Sequence, residues 1–257
     1  MTTLYDAILQ TAMFSGVCVS GVSTASGTST KLIDSTRHEQ DKYFDAGTLF
    51  IQSGTFLGLS GRIKSYSIAT TSFELFEPFD DVIPANVRYT ATNLNREMLV
   101  QAVNQALAHM GLYTVVDETL IGESGITEYE LPEKVDNVVK IDEITTTTSF
   151  TPVKTWREYA GKLYMEEPLS GGVPLRLYYN RLHPTVSGDG DRIDSAFHLT
   201  RLAWTATYFF ELSRLQYLGT NADKQSALFM NAQQQMAKQE RVHLVRKLER
   251  PGNLARY

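Results

Sequence analysis

The stretch from Asp191 to Pro251 constrains the chain most. HLTRLAWTATYFFELSRLQYLG carries apolar residues at helical spacing and runs to Gly219. NADKQSALFMNAQQQMAKQERVHLVRKLERPG follows at once and stops at Pro251-Gly252. Two helices of about 25 residues each, joined at Gly219-Thr220-Asn221, predict an antiparallel pair about 35–40 Å long. A helix in water gains most of its stability by burying one face, so the pair needs cover from the rest of the chain or from other copies.

The rest of the chain offers some of that cover. TTLYDAILQTAMFSG places Leu4, Tyr5, Ile8, Leu9, Ala12 and Met13 on one side of a short helix, with Thr2 or Thr3 as cap and Gly16 as stop. NLNREMLVQAVNQALAHMG does the same with Leu99, Val103, Ala106, Leu107 and Met110, capped by Asn93 or Asn95 and ended by Gly111. Between these helices the period changes to two. KLIDST, GTLFIQSG, GRIKSYSI, SFELFEPF and NVRYTA are short, β-branched and aromatic, and turn residues separate them about every ten positions, which predicts a small antiparallel sheet or barrel. A second strand block follows over residues 113–179. SGVSTASGTST, rich in Ser, Thr and Gly, reads as a flexible linker.

The expected class is therefore α+β: a helical bundle made of a short N-terminal helix, a central helix and a long C-terminal helical hairpin, with antiparallel β-rich segments. Residues 1–30 and 93–112 supply helical elements with a linker at 17–30. Residues 31–92 form an inserted β module, 113–190 a β-rich segment, and 191–257 the hairpin and a terminal tail. Apolar content of 42% and charged content of 21% are those of an ordinary globular protein. A net charge of −5 argues against a dedicated nucleic-acid binder. One cysteine, Cys18, excludes an intrachain disulfide framework. No Lys or Arg precedes Lys31, so no secretory leader is expected, and no apolar run is long enough to predict a membrane span.

Nothing in the chain carries a catalytic signature, and no cofactor or metal site is expected. The five histidines fall in unrelated segments, and neither a phosphate-binding loop nor a nucleophile elbow is present. In SGDGDRID, the acids Asp189, Asp191 and Asp194 lack the ligand spacing of a helix–loop–helix calcium loop. Asp191 or Asp194 is instead placed to cap the helix that follows. Trp204, Tyr208, Phe209, Phe210 and Tyr217 surround that helix with more apolar surface than one partner needs, which points to a subunit interface. The next helix ends in cations, with Arg241, Arg246, Lys247, Arg250 and Arg256 against Glu249. That suits a helix C-terminus and equally a docking end for an acidic partner.

The order of these pieces resembles the head-to-tail adaptor (connector, or head-completion) proteins of tailed bacteriophages. The likeness rests on TTLYDAILQTAMFSG, on NREMLVQAVNQALAHMG and on KTWREYAGKLYMEEPLSGGVPLRLYYN, with Trp156, Gly161, Leu163, Tyr164, Tyr178 and Tyr179. It continues through LHPTVSGDGDRIDSAFHLTRLAWTATYFF and covers residues 1–15 and 93–250; the strand block between is a departure. The resemblance implies a non-enzymatic virion protein of the phage neck, assembled in the host cytoplasm as a homo-oligomeric ring, usually of about twelve subunits. Its implied partners are the portal, a downstream neck or tail protein, and DNA passing through the channel without sequence recognition; no membrane is implied. Docking on the portal would fall to the C-terminal segment, here Arg246, Lys247, Arg250, Pro251, Asn253, Leu254, Arg256 and Tyr257. The alternative reading is a tail or baseplate protein whose β module binds a receptor or glycan, which exposure of Tyr66, Phe73 or Phe76 on one face of the first sheet would favour.

Overall fold

The computed structural model describes residues 2–146, 149–169, 171–217 and 222–248. It overturns the expected helical bundle ending in a helical hairpin. Among the described residues the fold is mostly β, arranged as four helices and four sheets. The reason is that each strand block builds a hydrophobic core of its own instead of decorating a helical one. Two compact units result: Met1–His109 together with Thr185–Tyr257, and Met110–Pro184.

In the first unit, β1 (Thr2–Thr3) leads into α1 (Leu4–Phe14). Strands β2 (Cys18–Val22), β3 (Ala25–Thr28), β4 (Lys31–Ile33), β5 (Thr48–Ile51), β6 (Ser60–Ser67), β7 (Ser72–Leu75) and β8 (Arg88–Thr92) follow. The seven strands form one antiparallel sheet in the order β2-β8-β5-β6-β7-β4-β3. Its two outermost strands, β2 and β3, are separated in the chain only by Ser23 and Thr24. The run from Cys18 to Thr28 is thus one bent strand, paired with β8 on one side and β4 on the other, and the sheet closes into a barrel. Ser23 makes the change of partner. Its backbone exchanges hydrogen bonds with Val87 and Asn86, while the Thr24 N–H already donates to Ile33. Closure removes the sheet edges that would otherwise invite pairing with other chains.

Residues 17–30 are therefore barrel wall, and the flexible linker expected there is corrected. The small polar composition serves the pairing: the Ser20 and Thr90 hydroxyls meet at 2.8 Å across the β2–β8 seam. Gly21 lies where any Cβ would come within 2.7 Å of an Asp34 carboxylate oxygen and 2.8 Å of the Tyr89 hydroxyl. The barrel interior holds Leu32, Leu49, Ile63, Tyr66, Phe73 and Tyr89, with Phe44 inserted from the loop before β5. The Phe44 ring lies 5.3 Å from Tyr66 and 5.2 Å from Phe73. Full burial of such side chains contributes about 1.5–3 kcal/mol each.

One carboxylate sits among them. Asp34 is fully buried and accepts hydrogen bonds from the Thr36 N–H, the Thr36 hydroxyl at 2.6 Å and the Tyr89 hydroxyl at 2.6 Å, with Arg37 Nε at 3.3 Å. Burial alone would push its carboxyl up; the hydroxyl and amide donors and the Arg37 charge outweigh that and hold it below the usual carboxylate value.

The helices of this unit flank the barrel. Thr3 and Asp6 form a capping box at the start of α1. Tyr5 on α1 donates to the Ile51 carbonyl at 2.6 Å and packs edge-on against Phe50, which fixes the helix to β5. α2 (Arg96–Met110) is capped by the Asn95 side chain, which accepts from the Glu97 and Met98 N–H groups. It buries Leu99, Ala102, Val103, Ala106 and Leu107.

In the second unit, β9 (Tyr113–Asp117), β11 (Asn137–Thr146), β12 (Ser149–Pro152) and β15 (Leu175–Arg181) make a four-stranded sheet, ordered β12-β11-β15-β9. β10 (Glu128–Glu130), β13 (Trp156–Tyr159) and β14 (Lys162–Met165) make a three-stranded one, ordered β10-β14-β13. The two sheets share one core: Ile141, Leu175, Leu177 and Tyr179 from the first meet Leu163 and Met165 from the second. Along β15 the alternation is regular, so Arg176 and Tyr178 point outward, where Arg176 covers Phe150 and Lys140 lies over Tyr178. Gly161, with φ of 75°, turns β13 back into β14. Back in the first unit, β16 (Arg192–Ile193) pairs with β1, and α3 (Leu199–Tyr217) and α4 (Ala222–Leu248) follow.

Asp34→Asn tests the barrel seam. Because the folded carboxyl titrates below its unfolded value, its contribution is full above the unfolded value and is lost as pH falls through the folded one. The variant is expected to lose about 2–4 kcal/mol in urea denaturation at neutral pH. That deficit should narrow below about pH 4. An unchanged midpoint at neutral pH, or a deficit that persists undiminished into acid, would contradict this account.

Candidate interaction surface on the C-terminal helices

The loop ahead of α3 is held by polar contacts between residues far apart in sequence. Asp189 accepts from the Ser60 N–H at 2.5 Å, from the Ser60 hydroxyl at 2.9 Å and from Arg96 at 2.7 Å. Arg96 also donates to Ser60 Oγ at 2.8 Å and to the Ser187 carbonyl at 3.1 Å. Asn104 on α2 brackets Val186, donating to its carbonyl and accepting from its N–H, both at 2.9 Å. The backbone of the same loop receives the α1 N-terminus, with Leu4 N–H donating to Asp191 O and Tyr5 N–H to Asp189 O. The start of β6, α1 and α2 therefore converge on residues 186–191.

Of the two expected caps, Asp191 is engaged elsewhere: it accepts from the N–H groups of Ser187 and Gly188 within its own loop, which holds its carboxyl below the usual value. Asp194 accepts from the Ala196 N–H, just ahead of α3. Among the described residues, no group of three His, Cys, Asp or Glu side chains could hold a metal ion.

The aromatic residues of α3 find partners inside the unit. Trp204 stacks on Phe14 of α1 at 4.1 Å. Phe210 is buried, as are Leu202, Ala203 and Ala206. Phe209 meets the His109 ring of α2 at 5.5 Å, and Tyr208 meets Phe229 of α4 at 5.2 Å. Glu211 is also buried, and burial raises its carboxyl above the usual value against the opposing influence of Arg214 and Ser15. The subunit interface expected on Trp204, Tyr208, Phe209 and Phe210 is thus largely consumed by packing against α1, α2 and α4. The Tyr217 side chain lies outside the described residues.

What stays open is the far side of α4. Of residues 226–241 only Ala232 is buried. Ala227, Met230, Asn231, Gln234, Lys238 and Arg241 are exposed and recur at spacings of three and four, so they lie along one face. The first four carry no charge, and Met230 is 54% exposed. The opposite side rests on α3 through Phe229 and on α2 through Glu240, 3.7 Å from His109 Nε2. Gln233 and Gln234 are exposed and Gln235 is half-buried, a distinction that packing makes. The side chains of Arg246 and Lys247, and all of Arg250, Pro251, Asn253, Leu254, Arg256 and Tyr257, lie outside the described residues.

The residues needed for a glycan-binding face are elsewhere. Tyr66 and Phe73 line the barrel core, and only Phe76 is exposed, with Arg62 over its ring. No family model matches the chain, and no curated protein aligns with it as a relative.

The clasp around Asp189 is testable by removing one side of it. Arg96→Ala leaves a mostly buried carboxylate without its cation and is expected to cost about 2–4 kcal/mol in denaturant unfolding. The double variant Arg96→Ala/Asp189→Ala should recover part of that loss. A single variant as stable as the parent would mean that the clasp contributes nothing.

Proposed function

We propose that this chain is a structural component of a tailed-phage neck, a ring-forming adaptor that joins the portal to the next neck or tail component and extends the DNA channel. The observation that carries the proposal is the outward face of α4. Among residues 226–241 only Ala232 is fully buried, and one side of the helix is left uncovered by its own subunit. Its uncharged stripe is of a kind that packs against a neighbouring copy, since charged groups are depleted at the centre of subunit contacts. The sequence segments on which the resemblance rests are the second support for the reading; they include α1, α2 and the β13–β14 turn at Gly161. A net charge of −5 suits a channel that lets DNA slide.

In this reading the protein works by shape and interface burial, with the basic end of α4 and the residues after it serving as the portal contact. The receptor-binding alternative has lost Tyr66 and Phe73 to the barrel core and rests on Phe76 alone.

Negative-stain micrographs of the purified chain mixed with portal rings test the proposal. The expected result is a second ring seated on the portal. Met230→Glu should abolish that ring while leaving the thermal midpoint within a few degrees of the parent, because the position is exposed in the subunit. If neither rings nor portal binding form at high protein concentration, the adaptor reading falls.

A further inference from the structure

The second unit carries a groove that the ring reading does not use. It encloses about 440 Å³ and is lined by Leu120, Ile121, Ile126 and Tyr129, with Glu123, Glu128 and Glu130 among its walls. Its shape is fixed by a buried hydroxyl. Tyr129 accepts from the Glu123 N–H at 3.0 Å and donates to the Ile126 carbonyl at 3.3 Å, which ties the turn over residues 123–129 to β10. Ile121 and Ile126 are 53% and 41% exposed, an apolar surface left to water. Lys162 is shared between Glu128 at 2.5 Å and Glu130 at 3.0 Å, while Glu123 is outside that pairing, so the groove stays net negative.

One segment of this chain has the complementary chemistry. Residues 246–257 hold four cations, Arg246, Lys247, Arg250 and Arg256, against the single acid Glu249, and they interleave the apolar Leu248, Leu254 and Tyr257. We propose that the groove is the docking site for the basic C-terminal segment of a second copy. Leu254 or Tyr257 covers Ile121 and Ile126, and the arginines meet Glu123 and the outer oxygens of Glu128 and Glu130. Glu123 is the natural anchor, because its carboxylate is exposed and shares no cation with the other two. The contact links copies before the neck is assembled. On the adaptor reading, which this deepens, the portal then takes the same segment, so groove and portal exclude one another.

The docking itself is tested without any portal, so its failure and the failure of the adaptor reading are separable. A fluorescein-labelled peptide with the sequence of residues 246–257 is titrated with the full chain, and anisotropy is followed. Saturable binding is expected, weakened at least about fivefold by Glu123→Lys and again by raising the salt from about 50 to 300 mM. Ile126→Glu should weaken it through the apolar contact, and thermal melts would confirm that both variants remain folded. No saturation up to about 1 mM chain, equal binding of a scrambled peptide, or affinity untouched by both variants would overturn the proposal.

Discussion

The hydrogen-bonded ion pair between Arg96 and Asp189 is the contact on which the first unit depends. It joins the first turn of α2 to a loop 93 residues later, and through Ser60 it adds the barrel wall. Asp189 is nearly buried, so removing its cation would strand a charge in a poorly solvated place, with only the Ser60 donors left to it. Everything C-terminal to it inherits its position. The 186–191 loop receives the α1 N-terminus, β16 pairs with β1, and α3 then packs on α1 through Trp204 and Phe14. The outward stripe on α4 exists because α3 is already committed on its other sides.

The barrel is the second constraint. Closure through the bent strand at Ser23 leaves no edge exposed, and it places an ionised Asp34 in the interior, where only Thr36, Tyr89 and Arg37 make it tolerable. Gly21 is part of the same arrangement, since no side chain fits between that carboxylate and the Tyr89 hydroxyl. A closed, edge-free wall is compatible with dense assembly, because sheet edges are where copies would otherwise pair wrongly.

A protein whose surface offers an uncharged helical face on one unit and an acidic, apolar groove on the other is equipped for two different contacts. The first is proposed to meet a like copy, and the second a basic segment such as residues 246–257. Both proposed contacts would rest on burial and charge complementarity.

Local rules settled a good deal. Thr3 with Asp6, and Asn95 with its two N–H donors, fixed where α1 and α2 begin, because caps act within one turn. Alternation in LRLYYNR gave β15 its inward Leu175, Leu177 and Tyr179, since a strand has only two faces. Crowding of aromatics on α3 was equally plain, but their assignment was not: whether Trp204 meets Phe14 or a neighbouring subunit is a question of which helices pack, and no periodicity encodes it. The same holds for residues 17–30, where a Ser-, Thr- and Gly-rich run became barrel wall because β8 and β4 stood on either side to pair with it. Asp189 looked like a loop acid beside a helix; its partner Ser60 lies 129 residues away. Sequence alone determined the helical stripes and narrowed the caps of α1 and α2 to a few positions, because these are interactions of near neighbours. Tertiary structure decided the predominance of β, the closure of the barrel and the free face of α4, because each depends on contacts between distant segments that compete for the same surface.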